Sequence, residues 1–114
     1  MKFEFQGLVA APFTPMKENG DIDLSKIPAY VQHLSDEGVD GVFINGTTGE
    51  GILSLTVKER KDLTEAWVEA GKGKISTIIV QVGTTTKDCA LHYIALYIIL
   101  NYFVNYITLY ITLL

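Results

Sequence analysis

Three short apolar runs, each closed by a turn and followed by an amphipathic stretch, constrain this chain more than any other feature. They are GLVAA at 7–11, VDGVFI at 39–44 and ISTIIVQV at 75–82. Between the first two, Leu24, Ile27, Val31 and Leu34 recur at close to helical spacing. Asp23 or Ser25 is placed to cap that helix and Gly38 to end it, and Pro28 falls near the first turn, where it is tolerated. Before it, MKENGDID reads as a polar turn with Asn19-Gly20 at its tightest point. The second helix is expected over 56–70: Thr56 and Glu59 make a capping box, Val57, Leu63, Trp67 and Val68 supply the apolar face, and Gly71 and Gly73 end it. Buried strands alternating with amphipathic helices imply βαβ units and a parallel sheet, so the expected class is α/β.

Composition excludes several functions. Nine basic against thirteen acidic residues give a net charge of −4, and no basic run is present, which argues against a nucleic-acid partner. One cysteine, Cys89, reads as a small buried residue. With no internal disulfide possible and no signal peptide in MKFEFQGLVAAPF, the expected setting is cytoplasmic. His33 reads as a helix-surface residue and His92 as a tail residue; neither has metal or triad partners at a telling distance, so no metal and no cofactor is expected.

The second run ends in FINGTTGEG, residues 43–51, with three glycines, two threonines and one glutamate after the strand. In parallel α/β folds ligands bind at the carboxyl ends of the strands, where this turn falls. Gly46 and Gly49 suit positive φ or close backbone approach, and successive N–H groups there form an anion-sized concavity. Thr47 and Thr48 add hydroxyl donors, so a small carboxylate or phosphate is one natural guest. The alternative is a connecting loop whose glycines serve geometry alone. A phosphate-binding P-loop is excluded, because no Lys follows the glycines.

GVDGVFINGTTGEG, together with the opening LVAAPFTPMKENGDID, resembles the dihydrodipicolinate synthase and N-acetylneuraminate lyase family. Asn45 before GTTGEG and the EAW around Trp67 are most similar to its animal N-acetylneuraminate lyase branch, and the resemblance covers about residues 5–88. It implies the N-terminal portion, about three βα units, of a (β/α)8 barrel. It also implies a pyruvate aldolase acting through a lysine Schiff base, cleaving sialic acid to N-acetylmannosamine and pyruvate, with dihydrodipicolinate synthase chemistry as the alternative. On this resemblance Thr47 and Thr48 bind the carboxylate of pyruvate or sialic acid. Glu50 invites reading as a general acid, but a structural role in bracing the turn is expected.

A barrel of this kind needs about 250 residues. The family's Schiff-base lysine and proton-shuttling tyrosine lie on later strands than those matched. Lys2, Lys17, Lys26, Lys58, Lys61, Lys72, Lys74 and Lys87 all read as solvated, so no catalytic residue is assigned and the chain by itself is expected to be inactive. Intact members commonly assemble as tetramers, and a truncated form could instead bind intact subunits.

The last Lys, Arg, Asp or Glu is at or before Asp88; CALHYIALYIILNYFVNYITLYITLL, 89–114, has none. The chain therefore divides into a truncated aldolase domain, 1–88, and an apolar tail, 89–114, expected to be helical and unrelated to the family. Three readings of the tail fit: an accident of the transcript, a membrane anchor long enough to span, or a helix lying over the open sheet, with Tyr93, Tyr97, Asn101 and Asn105 forming one polar-tipped stripe.

Overall fold

The computed structural model describes residues 4–51, 54–82 and, for their backbone course alone, 107–110. Its elements run β1 (Val9–Ala10), α1 (Ile27–Asp36), β2 (Gly41–Ile44), α2 (Val57–Gly71), β3 (Thr77–Gln81) and β4 (Ile107–Tyr110). All neighbouring strands pair in parallel, in the order β1-β2-β3-β4. The expected α/β alternation is therefore present.

The core lies between the sheet and the two helices. Val42, Ile44, Ile78 and Val80 are buried from the strands, Ile27 and Val31 from α1, and Leu63, Trp67 and Val68 from α2. Strand side chains alternate between faces, so Phe43 and Ile79, both half-buried, lie on the face away from the helices. Tyr30 packs on Trp67 with ring centroids 5.6 Å apart. This is the helix-facing layer of a βα barrel wall.

Local chemistry sets the helix boundaries. Thr56 Oγ1 accepts from the Glu59 N–H, and the Glu59 carboxylate accepts from the Thr56 N–H, so the expected capping box starts α2. Asp23 caps the approach to α1 by accepting from Ser25. Residues Leu24–Lys26 form a 3-10 turn rather than the first turn of an α-helix. The cause is Pro28, which has no N–H to give the Leu24 carbonyl; the Ile27 N–H takes it instead.

Two expectations need correction. The first strand is shorter and more exposed than the buried run 7–11: only Val9–Ala10 pair, and Leu8 is 64% exposed. Asp40 explains the late start. Its carboxylate accepts from the Leu8 N–H at 2.9 Å and fills the space a Cβ on Gly7 (φ 128°) would need. Pro12, two residues past the end of β1, has no N–H to extend the ladder. The second correction concerns the tail, expected to be helical: 107–110 are a strand, pairing Ile78 with Ile107 through Gln81 with Tyr110. The open edge of β3 offers unpaired N–H and C=O groups, and Ile107, Thr108 and Tyr110 are residue types that favour strands. The rest of the tail, with Cys89 and His92, lies outside the described residues. No helix among the described residues is long and apolar enough to cross a membrane.

Candidate functional site

The turn after β2 sits at the carboxyl end of the sheet, as the sequence requires. Its base is Asn45, 1% exposed and in the left-handed region at φ 62°. Asparagine tolerates that region better than most residues. The Asn45 carboxamide donates to Thr64 Oγ1 at 2.8 Å and to the Arg60 carbonyl at 3.2 Å, both on α2. Arg60 is itself buried and donates from Nη2 to the Gln81 carbonyl at the end of β3. The turn is thus bolted to α2, and α2 to the next strand.

The glycines serve close approach rather than positive φ. A Cβ on Gly51 would lie 2.4 Å from the Asn45 carbonyl oxygen, and one on Gly46 would lie 2.5 Å from the Phe43 ring. The left-handed positions are instead Asn45 and Glu50 (φ 63°). Glu50 braces the turn: its carboxylate accepts from the Ser54 hydroxyl at 2.8 Å, and its carbonyl accepts from the Ser54 and Leu55 N–H groups. The turn closes on itself through Glu50 N–H to the Thr47 carbonyl and Gly51 N–H to the Gly46 carbonyl, each 3.2 Å. Thr14, from the loop after β1, donates its hydroxyl to the Gly49 carbonyl.

Thr47 and Thr48 stand exposed at the crest of this turn, between buried Gly46 and buried Gly49. Among the described residues, neither their hydroxyls nor their N–H groups donate to another residue. A rigid loop presenting adjacent unspent donors, with no cation in it, suits a small carboxylate held by hydrogen bonds.

Of the residues that set this geometry, Thr14 and Asn45 lie within the stretches that carry the family resemblance, without a role read from them there, and Arg60 and Thr64 carry no motif of their own. His33 is exposed on α1, as expected. Lys17, Lys26, Lys58, Lys61, Lys72 and Lys74 lie on loops or helices, and none lies on a strand. Lys58 pairs with Asp62 one helical turn on, and that hydrogen bond raises its pKa; Lys72 pairs with Glu69. Among the described residues there is no cluster that could hold a metal ion.

Residues 4–96 match the dihydrodipicolinate synthetase family. The chain belongs to that family. The match extends past residue 88 into the start of the uncharged segment. Human N-acetylneuraminate lyase is 53% identical over 83 residues, covering 72% of this chain and 26% of that protein. Among solved structures, the N-acetylneuraminate lyase (sialic acid aldolase) of Aliivibrio salmonicida superposes with a TM-score of 0.78 at 37% identity, over 85% of this chain and 31% of its own. That of Mycoplasma synoviae does so at 0.78 and 26% identity, over 96% of this chain and 37% of its own. The chain therefore spans about a quarter of the human relative and about a third of the solved ones, and its fold is the N-terminal part of their barrel.

Proposed function

We propose that the turn at 46–51 is the carboxylate subsite of an N-acetylneuraminate lyase-type aldolase, with Thr47 and Thr48 holding the carboxylate of pyruvate or of sialic acid. The observation that carries this is the pair of unspent, exposed threonines on a turn fixed by Asn45, Gly51 and Thr14 at the carboxyl end of the sheet. A bound 2-oxo acid would have its carboxylate fixed and its ketone turned toward the barrel interior. Such positioning is worth a large share of the rate in a bimolecular condensation or cleavage.

A Schiff-base step needs a desolvated, neutral lysine amine. The described lysines are on loops and helices, several of them exposed or ion-paired. None of the described lysines is placed for that step, and in this reading the chain by itself binds the oxo acid without activating it, in a cytoplasmic setting.

Incubation with pyruvate and borohydride tests this, because reduction fixes any lysine–pyruvate imine as a stable mass increment. The intact mass should stay unchanged while a full-length lyase, treated alongside, gains the adduct. A stoichiometric adduct on one lysine of this chain would overturn the proposal.

A further inference from the structure

Asn45 is the joint between the sheet and the turn. Ile44, the residue before it, ends β2 and pairs with Val80. The peptides after it lead to Thr47 and Thr48. Its φ of 62° takes the chain out of the strand, so the same torsion aims the N–H groups of the crest. The turn then folds back over this residue. A Cβ on Gly51 would lie 2.4–2.6 Å from the carbonyl oxygen, Cα and carbonyl carbon of Asn45, and one on Gly49 would lie 3.6 Å from its nitrogen.

The side chain holds this joint to α2 alone. Nδ2 donates to Thr64 Oγ1 at 2.8 Å and to the Arg60 carbonyl at 3.2 Å, and the Thr64 hydroxyl donates to that same carbonyl at 2.8 Å, which closes a triangle of three bonds. Oδ1 is buried and has no hydrogen-bond partner among the described residues. Burying an acceptor unpaired is a cost that an apolar side chain would avoid. What asparagine offers here is its two donors and its tolerance of the left-handed region.

We propose that Asn45 is a positioning residue: its carboxamide fixes the direction of the Thr47 and Thr48 N–H groups, and Thr64 on α2 acts on the affinity of the site through it. Asn45 and Thr64 are 1% and 2% exposed, so a ligand on the crest reaches them only through the backbone of the turn. The effect on affinity rests on the reading of this turn as a carboxylate subsite. The effect on the turn itself does not.

Thr64→Val removes the hydroxyl and keeps the shape of the side chain, whereas Thr64→Ser keeps the hydroxyl. Amide chemical shifts and hydrogen exchange are recorded without ligand, pyruvate is then titrated, and urea titrations give the folded fraction. Thr64→Val should shift the amides of 46–49 and speed their exchange. It should also weaken pyruvate binding by about fivefold to tenfold in molecules that stay folded, the worth of one net hydrogen bond. Thr64→Ser should restore both. Asn45→Gly admits the left-handed torsion without the carboxamide; it should weaken pyruvate at least as much, and adding Thr64→Val should weaken it no further. If Thr64→Val does not fold, Thr64→Ala takes its place. Wild-type affinity and wild-type 46–49 amides in a variant whose urea midpoint alone has fallen would overturn the proposal, as would additive losses in the double variant. A wild-type chain that does not respond to pyruvate would overturn the carboxylate reading instead, and the 46–49 amides of ligand-free Thr64→Val then decide the positioning role by themselves: moved, they uphold it, and unmoved, they overturn it.

Discussion

The segment from β2 through α2 and the segment around β1 follow the same strand–turn–helix grammar, yet they differ in what holds them. From Val42 to Val68 the chain has a buried strand, a turn fastened by Asn45 to α2, a capping box and a continuous apolar helix face. At β1, two residues pair with β2 and, among the described residues, with nothing on the other side, and the apolar side chains Leu8 and Phe13 are exposed. The difference is one of neighbours. A central strand of a parallel sheet is covered on its face and bonded on both sides, and an edge strand depends on what comes next to it.

Substitutions should expose that contrast, with the largest effect in the α2 core. Trp67→Ala removes a side chain 1% exposed, in contact with Tyr30, and is expected to cost about 3–5 kcal/mol. Leu8→Ala, at the 64%-exposed edge, should leave the denaturation midpoint of the monomer nearly unchanged. Urea titrations of the two variants side by side would show it; equal losses would break the comparison.

Gly51→Ala comes next. The new Cβ would meet Asn45 backbone, which cannot swing aside as a side-chain tip would, so a cost of about 1–3 kcal/mol is expected from overpacking. Gly38→Ala is a useful control: its φ of 79° is strained for alanine but the space is open, so it should cost stability without disturbing the turn. Amide chemical shifts at 45–51 distinguish the two. Further down the scale, Thr56→Ala removes one half of the capping box and should cost about 1 kcal/mol by the same titration.

The smallest effect is a pH dependence at the entry to α1. The Asp23 carboxyl is held below its usual value by the hydrogen bond from the Ser25 hydroxyl, then by the Ser25 N–H and nearby Lys26 and Lys17. A carboxyl whose pKa is lowered on folding contributes stability above its unfolded value of 3.8 and loses that contribution as the pH falls below it. Thermal scans should show a slight acid-side loss that Asp23→Asn abolishes. An unchanged acid limb in the variant would remove Asp23 from the account.

Much of the fold was legible because its determinants are local. Apolar periodicity located both helices and the central strands, and Thr56 with Glu59 announced the start of α2. What was not legible depends on residues distant in sequence. The length of β1 is set by Asp40, thirty-two positions beyond Leu8. The left-handed backbone falls on Asn45 and Glu50 because Gly46 and Gly51 are needed for clearance against Phe43 and Asn45. The residue types at 107–110 permit a strand, but that they form one depends on the open side of β3, which lies outside the tail. At the candidate site the presenting residues, Thr47 and Thr48, could be named from the motif. The bolts beneath them could not, because Arg60 and Thr64 look like ordinary positions on an amphipathic helix until the turn is laid across them.

The most direct measurement is a pyruvate titration of the isotope-labelled 114-residue chain, followed at the backbone amides by NMR. Saturable shifts concentrated at Thr47, Thr48 and Gly49, and abolished in a Thr47→Ala/Thr48→Ala variant that keeps the wild-type spectrum elsewhere, are the expected result. No shift at those amides, or shifts that persist in the double variant, would contradict the assignment of this turn as a carboxylate site.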